Sequence, residues 1–320
     1  MSMADLTLRT AVPDKDYPAL AMLLSKIWDE PTTAADIHDW DQIGVGGGDG
    51  RFLTRILLEN EQKELLGYGT LRHQTYEEEG WFYIWVGVDP DFRCQGWGQL
   101  LYEKMAALAV ANGASELGSD VLDNCPDCLR FAKKQGFNVD RHLYQATIDL
   151  HKFEAHKFTG IIETVEAAGI RFTSLAAEGD TEAARRKLHA LNYQVALDDP
   201  ASNGSFPAFA AFNNNWKRAS WFVPEGQLLA VVGDQYVGLS AVGYMQATNS
   251  MVNLMTGVDK AYRGRKIAQA LKLKSIEFAQ TYGADYILTH NDSQNAPILA
   301  INRKLGYRPK TGEYRLKMRI

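Results

Sequence analysis

Cysteine is scarce in this chain: Cys94, Cys125 and Cys128 are the three among 320 residues. That is too few for the disulfide framework on which small secreted domains depend. Long apolar runs are also missing. The longest, around Leu100 to Val110, is interrupted by Glu103 and Lys104, whereas a membrane-spanning helix needs about 18 or more apolar residues. The opening MSMADLTLRT lacks the basic region and apolar core of a secretory signal. A cytoplasmic setting without a membrane partner is therefore the expectation. Nor is there an excess of positive charge: the net charge is −5 and the pI near 5.8. Broad nucleic-acid binding rests on a basic footprint, so no nucleic-acid partner is expected. A local basic groove for a phosphorylated small molecule stays open.

What is present is ordinary globular composition, 46% hydrophobic and 23% charged, in a chain long enough for two domains at roughly 100–200 residues each. The same order of elements runs twice. In the first half, a short strand at Thr7–Arg9 precedes a helix over Asp14–Trp28, where Leu20, Leu23, Leu24 and Ile27 share a face. Strands at Phe52–Leu58 and Leu65–Leu71 form a hairpin, and Trp81–Val88 is a third strand that stops at Asp89-Pro90. A glycine-punctuated loop leads into a helix over Gln99–Ala111. A strand at Glu116–Leu122, a helix at Leu129–Gln135 and a strand at Leu143–Leu150 complete the half. The second half repeats this: strand Ile170–Leu175, helix Thr181–Leu191, hairpin Leu228–Val232 with Val237–Gln246, strand Ser250–Val258, a basic loop at Arg263, helix Ile267–Tyr282, strand Tyr286–His290, helix Pro297–Leu305 and strand Tyr314–Arg319. A period near half the chain marks a domain duplication rather than a solenoid. The expected domains are 1–152 and 169–320, with a linker helix over 153–168.

Two stretches carry the chemistry. Gly87-Val-Asp-Pro-Asp-Phe-Arg93-Cys94-Gln95-Gly96-Trp97-Gly98-Gln99 is matched by Gly257-Val258-Asp-Lys-Ala-Tyr-Arg263-Gly264-Arg265-Lys266-Ile267-Ala268-Gln269. Each reads as a strand, an aromatic-Arg pair, a loop of small residues and a helix start. Unpaired N–H groups at a helix N-terminus, favoured by the helix dipole, suit a phosphate.

This pattern resembles the GNAT acetyltransferase superfamily, whose signature after the fourth strand is Arg/Gln-x-x-Gly-x-Gly/Ala. Arg93, Gly96 and Gly98 match it in full. Arg263 and Ala268 match, with Lys266 where glycine is usual. The superfamily's second marker also occurs twice, as Phe131-Ala-Lys-Lys-Gln-Gly136-Phe137 and Ile301-Asn-Arg-Lys-Leu-Gly306-Tyr307, the latter preceded by Asn291-x-x-x-Asn295-x-Pro297. The resemblance covers nearly the whole chain and implies an α/β fold of two tandem GNAT-type domains, each a mixed, mostly antiparallel central sheet flanked by helices. It further implies acetyl-CoA as cofactor. The pyrophosphate would lie on Arg93 to Gln99 or Arg263 to Gln269, with the pantetheine along Val86 and Val88 or Gly257 and Val258, and with Asn291 and Asn295 nearby. The implied reaction is direct attack of a small amine on the thioester, by a monomer or homodimer.

The family often places a thiolate-protonating tyrosine four residues before the Gly-aromatic pair. Here Ala132 and Asn302 stand there. Ala132 can donate nothing, and Asn302 donates a hydrogen bond but is no acid. Tyr83 and His290 are the other candidates for proton chemistry. The intact first loop favours cofactor binding in the N-terminal half. Asn291, Asn295 and Asn302 tilt catalysis towards the C-terminal half. Lys266 either adds a phosphate contact or obstructs the approach. A CoA-binding protein without catalysis is the alternative. Cys125-Pro-Asp-Cys128 has redox or metal spacing, but no second pair or suitably spaced histidine accompanies it, so a plain turn at a helix start, and no metal, is expected. Gly44 to Gly50 follows no strand and reads as a loop beside the acceptor. Trp81, Phe82, Tyr83 and Trp85 read as sheet packing, with an aromatic wall for the acceptor as the alternative. Glu77 to Glu79 reads as a solvated turn that could instead attract a cationic amine.

Overall fold

In the computed structural model the described residues are 6–28, 31–42, 52–73, 78–200, 202 and 204–320. The run Gly44–Gly50 and residue Glu77 lie outside them. No helix among the described residues is long and apolar enough to cross a membrane.

The chain forms two compact units. Unit 1 comprises residues 1–140 with 314–320, and unit 2 comprises 141–313. In chain order, unit 1 contains β1 (Leu6–Thr10), α1 (Pro13–Trp28), α2 (Ala34–Gln42), β2 (Phe52–Asn60), β3 (Leu65–His73), β4 (Trp81–Val88), α3 (Trp97–Ala111), β5 (Glu116–Leu122) and α4 (Pro126–Lys134). Then β6 (Asn138–Asp149) runs mostly in unit 2, followed by α5 (Ile161–Ala167), β7 (Arg171–Ser174), α6 (Glu182–Leu197), α7 (Phe209–Arg218), β8 (Gln227–Val232), β9 (Gln235–Met245), β10 (Ser250–Val258), α8 (Ile267–Tyr282), β11 (Tyr286–Asp292) and α9 (Ala296–Leu305). The last strand, β12 (Arg308–Arg319), ends in unit 1.

Within each unit the sheet is mixed and mostly antiparallel, as expected. Unit 1 runs β1-β2-β3-β4-β5 and closes with the C-terminal part of β12; unit 2 runs β7-β8-β9-β10-β11 and closes with β6. In both, the strand before the loop pairs in parallel with the strand after the following helix, β4 with β5 and β10 with β11. The compact units therefore do not divide where the repeat in the sequence divides. Each takes its closing strand from the other repeat. β6 pairs with β11 along seven positions, from Leu143 opposite Asp292 to Asp149 opposite Tyr286. In unit 1 the Ile320 amide donates to the Ser115 carbonyl at 3.0 Å, and Arg315 and Arg319 pair with Asp120 and Glu116.

Packing explains the placement of the long helices. α3 lays Leu101, Met105 and Ala109 on β3 and β4, and these join Leu58, Leu71, Ile84 and Leu117 in one core. The approach is close: a Cβ on Gly69 would sit 2.5 Å from the Met105 side chain. α2 and α7 have no counterpart in the sequence reading, and the helix expected over 153–168 is shorter than read, one 3-10 turn (Ala155–Phe158) followed by α5.

Leu316, from the last strand, is fully buried in this unit 1 core. Truncating a buried leucine costs about 2–5 kcal/mol. Leu316→Ala is therefore expected to lower the stability of unit 1 by that amount, read from the denaturant midpoint of the full-length protein. An unchanged midpoint would show that the C-terminal strand is not part of this core.

Candidate active sites

In unit 1 the parallel pairing of β4 with β5 covers three positions, ending at Tyr83 opposite Gly118. Beyond them the strands part. Ile84, Trp85 and Val86 on one side and Ser119, Asp120 and Val121 on the other line a cleft of about 1010 Å³. In unit 2, β10 and β11 pair over four positions, ending at Asn253 opposite Thr289. The cleft there, about 490 Å³, is lined by Met255 to Val258. β10 also carries a bulge between Asn253 and Met255, a device that re-aims backbone groups next to binding sites.

The turn at the mouth of each cleft is built alike. Asp89 and Asp259 end the strand by accepting from the amide two residues on, at 3.0 and 2.9 Å. The buried Asp89 also receives Lys26 Nζ at 2.8 Å. Arg93 and Arg263 fold back and donate through Nε to the carbonyls of Val88 and Val258, at 3.3 and 3.1 Å. Each loop then passes through two left-handed residues, Cys94 (φ 62°) and Gly96 (φ 88°) in one, Gly264 (φ 78°) and Lys266 (φ 62°) in the other. Lys266 thus adopts the conformation that Gly96 adopts, at a cost of about 1–2 kcal/mol for a residue with a Cβ. The backbone path is not blocked by it. Neither Gly96 nor Lys266, the N-caps of α3 and α8, makes a side-chain cap hydrogen bond. The first amides of both helices are left for an anion.

Of the expected cofactor residues, Val86, Val88, Arg93, Cys94, Gly96, Trp97, Gly98 and Gln99 line the unit 1 cleft, and Gln95 does not. Gly257, Val258, Arg263, Gly264, Lys266, Ile267, Ala268 and Asn295 line the unit 2 cleft. Arg265 instead lies over the Tyr262 ring. Asn291 is buried and accepts from Asn302 Nδ2 at 2.8 Å. Asn302 is itself only 3% exposed and lines neither cleft. Tyr83 is buried on β4 against Trp85 and beneath Arg72. His290 is exposed on β11, and neither it nor Tyr83 lines a cleft. Phe82 belongs to the core, Ile84 joins that core and also borders the cleft, and Trp85 borders the cleft. Glu78 and Glu79 are exposed ahead of β4.

The two sites differ in electrostatics. In unit 2, Asp198 pairs with both Lys260 and Arg263. The Lys260 ammonium, helped by the Arg263 guanidinium, holds its carboxyl below the usual range. Asp198 and Asp199 border that cleft, so Arg263 there already has an acidic partner. In unit 1 no acid pairs with Arg93 among the described residues, and the acids at the cleft are engaged elsewhere, Asp120 with Arg315 and Asp127 with Arg130.

Three features escaped the sequence reading. Cys125 and Cys128, at the expected helix-start turn, are joined by a disulfide. Tyr102 of α3 borders the unit 1 cleft beside Ala132, edge-on to Phe131 and Phe137. Burial pushes its phenol up, so it stays protonated near neutral pH. At the matching position of α8 stands Lys272, 1% exposed, its Nζ 4.8 Å over the Tyr307 ring and without a hydrogen-bond partner among the described residues. Burial depresses its pKa to about 7. The outward signal for Tyr102 was its place on the first helix of the motif; nothing in the sequence marked Lys272 as buried.

Residues 17–137 match the Acetyltransferase (GNAT) family. No curated protein matches the chain. Among solved structures, a GCN5-related N-acetyltransferase from Sphaerobacter thermophilus is similar over 100% of this chain and 97% of its own, at 18% identity and TM-score 0.64. A tandem GNAT protein from the clavulanic acid biosynthesis pathway is similar over 98% of both chains, at 15% identity and TM-score 0.62. The glucosamine N-acetyltransferase region of a fungal multi-domain β-N-acetylglucosaminidase is similar over 98% of this chain and 38% of that one, at 14% identity and TM-score 0.68.

The buried Lys272 sets a pH dependence. Unfolded, a lysine titrates near 10.4. Between about pH 7 and that value the unfolded chain binds a proton that the folded chain does not, so stability rises with pH there. Below about 7 the folded chain must also carry the charge, and the penalty is complete. Lys272→Met is expected to stabilise the protein by on the order of a few kcal/mol at pH 7, with the gain shrinking towards pH 10. Denaturant unfolding of both proteins across that range checks it; a gain that does not vary with pH would mean that Lys272 does not titrate as described.

Proposed function

For a chain with a GNAT domain at residues 17–137 and a second domain of the same fold, we propose acetyl-CoA-dependent N-acetylation of a small amine, with the acetyl donor held in the unit 1 cleft. The observation that carries this is the early end of β4–β5 pairing at Tyr83, which leaves an unpaired strand edge leading to an uncapped helix start. Bound there, acetyl-CoA supplies the activated acetyl group. The Gly96–Gln99 backbone and Arg93 meet its pyrophosphate, with charge-assisted hydrogen bonds. The edge of Ile84 to Val88 offers amides and carbonyls to the pantetheine amides. Tyr102 holds the proton that a leaving thiolate needs, from the helix facing Ala132. Unit 2 is the weaker site: its cleft is half the volume and its Arg263 is taken by Asp198. This reading departs from the expectation that the asparagines tilt catalysis towards the C-terminal half, and its support is that Asn291 and Asn302 bond one another in the interior. The protein acts as a monomer or homodimer in the cytoplasm, without nucleic-acid or membrane partners.

Calorimetric titration with acetyl-CoA tests the placement. One site per chain is expected. Arg93→Ala should weaken binding about ten- to a hundredfold, the range of a lost hydrogen bond to a charged group, and Arg263→Ala should change it less than twofold. Binding lost in the second variant and kept in the first would move the site to unit 2, and no binding at all would refute the reading.

Tyr102→Phe separates acid catalysis from binding. It should leave acetyl-CoA affinity within twofold while kcat falls about 10²-fold or more, the scale of general-acid catalysis. An unchanged kcat would exclude the Tyr102 phenol as the proton source.

A further inference from the structure

All three cysteines of the chain line the unit 1 cleft. Cys125, the N-cap of α4, is bonded to Cys128 one turn into that helix, and both are partly exposed. The fold does not need this bond. Unit 2 makes the same turn with Asn295 as N-cap, at φ −91° and ψ 63° against −113° and 77° for Cys125. The hydrogen bonds correspond: Cys125 N to Leu122 O at 3.1 Å and Asn295 N to Asp292 O at 3.0 Å, then Leu129 N to Cys125 O at 3.1 Å and Leu299 N to Asn295 O at 3.2 Å. A ring closed across so few residues also constrains the unfolded chain least. The disulfide thus sits where the local fold forms without it, within a cleft read as the seat of a thiol-bearing cofactor.

We propose that Cys125–Cys128 is a thiol–disulfide exchange site for the thiol of CoA held in the unit 1 cleft; this rests on the cofactor placement given above. The CoA thiolate attacks Cys128 Sγ, the Cys125–Cys128 bond breaks, and a mixed disulfide between CoA and Cys128 forms. Cys125 leaves as the thiolate and takes up the proton that the CoA thiol lost. The CoA sulfur is oxidised and Cys125 reduced, so no external oxidant enters. Cys125 is the better leaving group, because a thiolate at a helix N-terminus meets unpaired amides and has a lowered pKa, and the thiol of lower pKa leaves faster. Attack of Cys125 on the mixed disulfide reverses the step. Acetyl-CoA, whose sulfur is acylated, cannot react. The oxidised cleft therefore captures the product of acetyl transfer covalently and admits the donor only reversibly.

Two measurements on the full-length protein test this. Oxidised wild type is incubated with CoA, acetyl-CoA or glutathione, quenched in acid and weighed intact, with the modified residue mapped by peptide mass spectrometry. Reduced Cys125→Ser, which cannot reverse the step, is mixed with CoA disulfide or glutathione disulfide. Expected are an adduct of one CoA at Cys128, none with acetyl-CoA, a rate for CoA disulfide at least tenfold above glutathione disulfide, and suppression by added acetyl-CoA. Equal rates for the two disulfides, modification at Cys94 alone, or no adduct in either experiment would overturn the proposal. Should calorimetry find acetyl-CoA bound to unit 1 without this preference, the exchange site fails alone; absence of both would take the cofactor placement with it.

Discussion

A parallel strand pair that stops partway along its length is the constraint from which the rest of each unit follows. While β4 and β5 are paired, their backbone groups satisfy one another; beyond Tyr83 and Gly118 they cannot. Exposed strand edges seek partners, and those facing a cleft are satisfied by water or by a ligand with amides of its own. The same parting follows Asn253 and Thr289 in unit 2. Helices α3 and α8 start at the mouths of these gaps because an Asp-capped turn and two left-handed residues reverse the chain there. Cleft, anion site and strand edge are thus consequences of a single local departure from sheet pairing.

Duplication supplied two such clefts, and the substitutions between them lie on the same inward faces. Where unit 1 has Tyr102, Met105, Val121 and Ala132, unit 2 has Lys272, Ser275, Asn291 and Asn302. In unit 2 all four are buried: Asn302 donates to Asn291 at 2.8 Å, and Ser275 meets Ser240 at 2.8 Å, which in turn accepts from Asn253 at 2.7 Å. A partly satisfied buried polar set costs stability, and Lys272 Nζ, Tyr307 Oη and Asn302 Oδ1 remain without partners among the described residues. In unit 1 the equivalent space is apolar and opens into the cleft.

Much of this was legible because it is written in short-range chemistry. The strands and helices that bracket the loops follow from hydrophobic period and from glycine and proline at their ends. The loops themselves follow from Arg93, Gly96 and Gly98 and from their second copy. Sequence alone left Lys266 as either a phosphate contact or an obstruction, because it does not say that the loop's neighbours hold a lysine in the left-handed region. The exchange of closing strands was not legible: β6 and β12 carry similar alternating patterns, and nothing in either says which sheet edge it will meet. α7, with three consecutive asparagines in Phe209–Arg218, has a composition that argues against a helix, and its aromatic contacts decide otherwise. Asn302 and Lys272 were placed correctly on their helices, but helical period does not tell a polar residue's burial from its exposure to a ligand.

That last distinction bears on where chemistry resides. A polar residue at a motif position is an argument for function only if its atoms reach the cleft. Asn302 is polar and occupies the motif position, yet it spends its donor on Asn291 in the interior. Ala132 occupies the equivalent position and offers nothing, yet its small side chain leaves room for the Tyr102 phenol on the facing helix to border the cavity. A proton donor is defined by the space it can reach rather than by the residue number from which it starts. The same logic supports the proposal of unit 1 as the donor site although its motif alanine is chemically inert. It holds the larger cavity, an arginine not already paired with an acid among the described residues, and the one tyrosine on α3, buried enough to keep its proton.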